Sequence, residues 1–405
     1  MYHDELIPVA KAKKIIEKIE LKTKKECIKL SEANMRVLSR DIEVLIDVPP
    51  FDRAAMDGYA IIAKNTSHAS RQDPVALKII DDIGAGYTSN VNLKNGEAVK
   101  IATGAPMPAG SDAVIMQEFS YEKGEYVYLE KPVTFNQDVS LQGEDLKKGE
   151  LILKKGQILN PHFMALIASA GHKTIEVYKK PQIGVIITGN ELVEPSSELK
   201  PGMIINSNQY ALKGLIEECK CGGEIFIVPD DLGRLSSTLE YCIHNFDVVI
   251  TTGGTALSKG DLIVDLVEIK GEVLMHGLSM KPGKPFGFGL INDKPIFMLS
   301  GYPVAVAVQF DIFVREYLFK MQNIYWEMKA RDAVALSDMK SSPDKYNVIR
   351  AFYNNGEVKG LRTRAGINKS ILESNCYVIS KEGKGQIKKG DTCQVVTYKS
   401  LQLCE

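Results

Sequence analysis

The 405 residues carry 50 Lys and Arg against 51 Asp and Glu, a formal net charge of -1. No overall field therefore recruits nucleic acid or an anionic membrane, and any anion binding has to be local. A hydrophobic share of 44% with 25% charged residues is ordinary for a soluble globular protein, and the length predicts about two to four domains.

The opening stretch MYHDELIPVAKAKKIIEKIE has no apolar core of signal-peptide length, and no apolar run reaches the ~18 residues a spanning helix needs. A cytoplasmic location is expected. Seven cysteines are scattered without a C-x-x-C pair, and Cys219-Lys220-Cys221 has the wrong spacing for a zinc knuckle. They read as reduced thiols with structural or incidental roles.

In chain order, Ala12, Ile15, Ile16 and Ile19 recur at helical spacing between lysines and glutamates, giving a helix with one apolar face. It reads either as an ordinary amphipathic helix or as half of a dimer contact. A second short helix is expected after Ser31, a candidate N-cap. Next, VPPFDRAAMDGYAI places Asp57 beside Gly58, a turn that can hold a carboxylate in a fixed direction. Short strands alternating with turns follow from residue 75 to 118 and predict a small β domain. Gly84-Ala85-Gly86 lacks the third glycine and the following helix of a dinucleotide loop, so it reads as a turn. In Thr103-Gly104-Ala105-Pro106 a hydroxyl and a flexible backbone could touch a ligand. Gly143-Glu144-Asp145 sits at a further bend. Asn160-Pro161 then opens a helix that ends at Gly171. That helix is expected to pack with the N-terminal one, making residues 1–47 and 141–177 a helical linker or dimerisation domain, with residues 48–140 as an inserted β domain.

Residues 178–328 alternate strand and helix, which argues a doubly wound parallel sheet with its site at the carboxyl edge of the strands. Helices are expected from about Asn208, Leu232 and Asp261, with a last one ending near Leu318. The run DVVITTGG reads as a strand buried on both faces. Its glycines, Gly253 and Gly254, let backbone amides approach an anion. Lys281 and Lys284 in MKPGKPFGFG add positive charge, stiffened by Pro282 and Pro285. Pro303 fits the first turn of a helix whose unpaired amides attract anions. Three acids at strand ends, Glu191, Asp230 and Asp261, are expected to converge on this crevice, where a divalent cation such as Mg²⁺ would bridge carboxylate and substrate phosphate. Residues 329–405 read as a small β domain, with Asn354-Asn355-Gly356 as a hairpin signal.

Together PPFDRAAMDGYA, IATGAPMPAGSDAVIMQE, GEDLKKGE, TGNELVEP, INSNQY, PDD, TTGG with Asp261, and KPGKPFGFG resemble, in order and spacing, the molybdopterin molybdenumtransferases, the MoeA family that includes the gephyrin E domain. The resemblance covers nearly the whole chain. It implies a multidomain α/β plus β protein with a MoaB/MogA-like parallel-sheet domain, an inserted β domain, a helical linker and a C-terminal small β-barrel. It further implies a homodimer in which the sheet domain of one subunit faces the β domain of the other. Such a protein takes adenylated molybdopterin and molybdate, cleaves the adenylate with Mg²⁺, and releases molybdenum cofactor and AMP. A molybdopterin adenylyltransferase would be its supplying partner. The family's catalytic positions fall on Asp57, Thr103, Asp145, Glu191, Asp230 and Asp261, with Glu191, Asp230 and Asp261 as metal ligands. Its binding positions fall on Gly253, Gly254, Lys281, Lys284, Ser300, Pro303, Arg350 and Ser370.

The chain departs from the family pattern in three loops. Arg53-Ala54 stands where the family writes Asn-Ser, Ala256 and Ser258 replace the serine and glycine of GGxSxG, and LSGYP replaces LPGNP, with Ser300 for a proline and Tyr302 for an asparagine. Ser for Pro frees φ and adds a donor. Two other readings stay open beside the metal insertase. One is a paralogue that inserts tungstate or adenylates molybdopterin, the other a non-catalytic carrier or scaffold.

Overall fold

The computed structural model describes residues 6–20, 23–254, 261–361 and 368–401. The chain forms two compact units, residues 27–177 and residues 1–26 with 178–405. Helix α1 (Val9–Glu17) buries Val9, Ala12 and Ile16. Ile16 lines a small cleft with Ile312, Phe313 and Tyr317, and Ile7 exchanges backbone hydrogen bonds with Gly277 and Ser279. Helix α1 thus spends its apolar face on its own unit.

The 27–177 unit is built on a six-stranded sheet. Its strands are β1 (Gly58–Ile61), β2 (Val75–Ile83), β3 (Glu97–Ile101), β4 (Ala113–Met116), β5 (Ser120–Lys123) and β6 (Tyr126–Leu129), in the order β4-β1-β3-β2-β6-β5. All pairs are antiparallel except β2 with β3. Alternation sends Tyr59, Ile61, Leu77, Ile115 and Val127 to one apolar cluster and Ala60, Ile83, Val99 and Val114 to another. Each face therefore carries an apolar cluster, and each fully buried aliphatic side chain contributes roughly 1.5–3 kcal/mol.

Helix α2 (Pro161–Ser169) starts as its sequence predicts, with the Asn160 side chain accepting from the Phe163 amide at 2.9 Å and Gly171 at φ 95 just past its end. The helix expected after Ser31 is absent. Ser31 lies in one 3-10 turn, Leu30–Glu32, because the backbone beyond it finds partners in extended chain, Met35 N to Leu159 O and Leu38 N to Gln157 O.

The other unit contains a mixed sheet of β7 (Gln182–Thr188), β8 (Gly222–Val228), β9 (Val248–Thr252), β10 (Glu272–His276), β11 (Gly287–Ile291) and β12 (Lys294–Leu299). Its order is β8-β7-β9-β12-β11-β10. The first four strands run parallel, as expected. Strands β11 and β10 extend it antiparallel, and neither was expected, since GFGLI reads as loop by its glycines. Helices α3 (Asn208–Glu218), α4 (Leu232–Asn245), α5 (Leu262–Lys270), α6 (Pro303–Gln309) and α7 (Arg315–Met321) complete the layers. Leu235 and Leu239 of α4 and Val264 and Val267 of α5 pack on Ile186, Val249, Ile296 and Met298, while α3 and α6 pack on each other and on the sheet. A π-helical turn, Phe310–Val314, joins α6 to α7.

Strands β13 (Arg331–Ala335), β14 (Tyr346–Asn354), β15 (Glu357–Gly360), β16 (Cys376–Ser380) and β17 (Thr392–Thr397) pair in the order β14-β15-β13-β17-β16, and β16 returns to β14. The result is a closed five-stranded barrel around Ala351, Val358, Val378 and Val395. Its β14–β15 turn has Asn355 at φ 45 and Gly356 at φ 86, the hairpin chemistry that Asn-Gly predicts. Among the described residues no helix is long and apolar enough to cross a membrane, and the six described cysteines are unpaired thiols.

Candidate functional site

In the 27–177 unit two expected loops meet on one segment, residues 48–55. Gly104 N donates to Ala54 O and Ala54 N to Ala105 O, which seats the TGAP loop on one side. Gly143 N reaches Pro49 O and Asp145 N reaches Val48 O, which seats the GED bend on the other. At the end of this segment Asp57 Oδ1 accepts from Thr103 N at 2.6 Å and from Thr103 Oγ1 at 2.8 Å. The Thr103 amide first, then its hydroxyl, holds the Asp57 carboxyl below its ordinary 3.8. A fixed, exposed anion results. Asp145 is exposed as well.

In the other unit the carboxyl ends of β7, β9 and β12 present the expected loops. Gly253 has φ +91, and a Cβ there would stand 2.1 Å from Thr188 O, so only glycine lets β9 pass that close to β7. Asp230 accepts from Thr188 Oγ1 at 2.5 Å and from Asn190 N at 3.3 Å, while Asn190 Oδ1 accepts from Asp230 N at 3.1 Å. Glu191 folds its carboxylate back over Gly189, where a Cβ would meet Oε2 at 2.7 Å. Two carboxylates therefore lean on one turn, residues 188–191.

Asp261 behaves differently. It caps α5, its Oδ1 accepting from Ile263 N at 3.2 Å and Val264 N at 3.1 Å, and only 2% of the residue is exposed. Its Oδ2 faces His276 Nε2 at 4.0 Å, and neither buried atom has a hydrogen-bond partner among the described residues. Burial pushes the Asp261 carboxyl up to about 7, and burial pushes the His276 imidazole down. The expected gathering of Glu191, Asp230 and Asp261 around one cation is not what the structure has. Among the described residues no group of three or more His, Cys, Asp or Glu side chains could hold a metal, because the first helical turn of α5 claims the third carboxylate.

Lys281 and Lys284 are exposed on the loop between β10 and β11, and neither has an ion-pair partner among the described residues. Pro303 opens α6 as expected, with Tyr302 at the cap position and 62% exposed. Ser300 is buried instead. Its amide donates to Gln309 Oε1 at 2.8 Å, its carbonyl accepts from Thr252 Oγ1 at 2.8 Å, and its hydroxyl accepts from Tyr302 N at 3.3 Å. It shapes the loop from within. In the barrel, Arg350 Nη1 donates to Ser370 Oγ at 3.0 Å, and the buried Arg350 Nε has no partner among the described residues. Three residues not singled out in the sequence belong to this edge: His276, Gln309, and Asn208, whose Nδ2 reaches Gly301 O at 2.9 Å and Thr252 Oγ1 at 3.4 Å. Of these only Asn208 carried a signal, as part of INSNQY.

Residues 7–171 match the model of the MoeA N-terminal region, domains I and II, and residues 184–320 match that of a probable molybdopterin binding domain. A putative molybdopterin biosynthesis protein of Methanocaldococcus jannaschii is 38% identical over 97% of this chain and 98% of its own. The chain belongs to the MoeA family.

Other MoeA-family relatives include the molybdopterin molybdenumtransferase of Staphylococcus aureus (strain COL), 33% identical over 92% of this chain and 91% of its own. Among solved structures, a molybdopterin biosynthesis MoeA protein from Pyrococcus horikoshii is 31% identical, with a TM-score of 0.83 and coverage of 97% of this chain and 99% of that one. Against the MoeA-family pattern, the Arg53-Ala54 departure forms a short strand opposite Val139 and Ser140, with Arg53 exposed. Ala256 and Ser258 lie outside the described residues.

Proposed function

We propose that the chain is a molybdopterin molybdenumtransferase of molybdenum cofactor biosynthesis: it takes adenylated molybdopterin and molybdate and releases molybdenum cofactor and AMP. The observation that carries this reading is the 38% identity across 97% of the chain, with the acids, lysines and glycine loop of the family motifs standing at loop positions of the two units. In the reaction water adds to the anhydride phosphorus as the P–O bond to AMP breaks, AMP departs with that electron pair, and the two dithiolene thiols of the pterin displace one oxygen of molybdate as water.

Charge neutralisation at the anhydride oxygens is the main requirement of such a step. Lys281 and Lys284 offer ammonium groups with no ion-pair partner among the described residues, and Gly253 and Gly254 expose backbone amides to an anion. Asp57, fixed by Thr103, and the exposed Asp145 serve as acids that orient substrate and water. We assign substrate anchoring to Arg350 and Ser370 of the barrel, and to Pro303 at the start of α6. The oxygen-only donor pair of Glu191, on the turn at residues 188–191, and Asp230, hydrogen-bonded to that turn from the end of β8, fits Mg²⁺, which is usually held by one or two carboxylates with substrate phosphates completing its shell. When bound, the cation would supply charge compensation on the phosphates. Asp261 acts from below, through the cap of α5.

We further place the protein in the cytoplasm as a homodimer, supplied by a separate molybdopterin adenylyltransferase. Sedimentation of the purified chain at twice its 44.7 kDa monomer mass is the expected result, and a monomer would remove the dimer from the proposal. The function is tested by a single-turnover assay with adenylated molybdopterin, Mg²⁺, and either molybdate or tungstate, quantifying AMP and dithiolene-bound metal. AMP released only with an oxyanion, with metal recovered on the pterin, supports the insertase and names its anion. Tight binding without AMP release under either anion overturns it in favour of a carrier.

A further inference from the structure

Gln309 is wholly buried in α6, yet every polar group of its amide is directed at a loop of the candidate site. Its Oε1 accepts from Ser300 N at 2.8 Å. Its Nε2 donates to Gly283 O at 2.9 Å and to Pro285 O at 2.7 Å. One side chain thus ties the turn at the end of β12 to the loop that carries Lys281 and Lys284.

We propose that Gln309 is a positioning residue that fixes the two exposed lysines relative to the start of α6, and so sets the geometry in which the site receives the phosphates of its substrate. The inference rests on the anion-binding role given to that loop above. Two further observations support it. Gly283 has φ +105, and a Cβ there would press on Gln309 Cγ and Nε2 at 3.1 Å, so the loop is shaped around this amide. The Ser300 N–H exists only because position 300 is not proline, and Gln309 Oε1 is the acceptor that this extra buried donor requires. The serine and the glutamine are therefore one structural pair, and the same glutamine passes the constraint on to the lysine loop. Lys284 lies between the two carbonyls it holds, and Lys281 two residues before the first.

The test uses the full chain with Gln309→Met, which keeps the volume and loses all three bonds, and Gln309→Glu, which keeps the acceptor for Ser300 and loses both donations. In folded Gln309→Met and Gln309→Glu, amide hydrogen exchange at Leu278, whose N–H donates to Lys284 O at 2.9 Å, is expected to rise at least roughly tenfold as the loop loosens. Affinity for inorganic pyrophosphate, the probe for the lysine loop, is expected to fall about tenfold, as a loss worth about 1.4 kcal/mol gives. In turnover, KM for the adenylate rises by a similar factor with kcat changed less than about threefold. A role confined to packing would lower the melting temperature of Gln309→Met and leave exchange, pyrophosphate affinity and KM of the folded protein unchanged, and that outcome overturns the proposal. If the wild-type chain shows no turnover, the transferase reading falls, while exchange and pyrophosphate affinity still decide the role of Gln309.

Discussion

Asp261 Oδ2 and His276 Nε2 face each other at 4.0 Å, both buried and both without a hydrogen-bond partner among the described residues. Burial raises the carboxyl from its ordinary 3.8 to about 7 and lowers the imidazole. The folded chain therefore holds a proton on Asp261 that the unfolded chain gives up above about pH 4, so this carboxyl makes stability fall as pH climbs from about 4 to 7. His276 has the opposite sign: the unfolded imidazole charges below its ordinary 6.5, and stability is lost as pH falls through that value.

Asp261→Asn is expected to remove the loss on raising pH from about 4 to 7, at ~1.4 kcal/mol per pH unit over that window, and His276→Gln the loss on lowering it through about 6.5. Urea melts at pH 5, 6, 7 and 8 measure both. Asn caps helices as well as Asp does. If Asp261→Asn keeps its fold and still loses AMP release, Asp261 does more than cap; full activity would take it out of the mechanism.

Thr103 supplies both hydrogen bonds to Asp57. Thr103→Val removes the hydroxyl and keeps the amide, so the Asp57 pKa should move up toward its ordinary 3.8 without reaching it. Carboxyl chemical shifts followed against pH report this directly. Turnover should fall by roughly tenfold through lost orientation, with the melting temperature nearly unchanged because the pair is exposed.

Arg315 is buried with Nε and Nη2 donating to Asp311 Oδ1 at 3.0 and 2.8 Å, and Tyr377 of the barrel donates to Asp311 Oδ2 at 3.1 Å. Arg315→Met strands a buried carboxylate and should cost about 3–5 kcal/mol. Tyr377→Phe removes a single hydrogen bond and should cost about 1–2 kcal/mol. Equal losses in chemical denaturation would show that the guanidinium is not the decisive partner.

Asn208 holds Gly301 O and Thr252 Oγ1 from the first turn of α3. Asn208→Ala removes both hydrogen bonds, at about 0.5–1.5 kcal/mol each, and should cost about 1–3 kcal/mol. The same variant should raise KM for the adenylate, since Gly301 and Gly253 border one another with 3.7 Å between a Gly301 Cβ position and Gly253 Cα. A stability loss with unchanged KM would confine Asn208 to the core.

Much of the fold was legible because it follows local rules. Asn160-Pro161 wrote its own cap, Asn355-Gly356 its own turn, and the apolar runs of β7 and β9 could belong only to a covered parallel sheet. Strand β11 was not legible, because Gly287 and Gly289 hide the strand period. Ser31 misled, because a capping residue has no helix to cap when neighbouring strands claim the backbone beyond it. In the site, charged residues in loops could be found from their spacing. The destination of a carboxylate could not: those of Glu191 and Asp230 lean on the turn at residues 188–191 while that of Asp261 turns inward. Gln309 gave no signal, since a buried amide is chosen by carbonyls far off in the chain.

Lys281 sits on a two-residue strand, Met280–Lys281, that pairs in parallel with Tyr346 and Asn347 of barrel strand β14, and Ser279 accepts from Tyr346 N while its hydroxyl reaches Asp344 O. The barrel therefore shares backbone with the lysine loop, in the way a hem shares thread with two cloths. Neither module can be exchanged for a foreign one without resewing the other, so recombination among related genes would have to carry the sheet domain and the barrel across together.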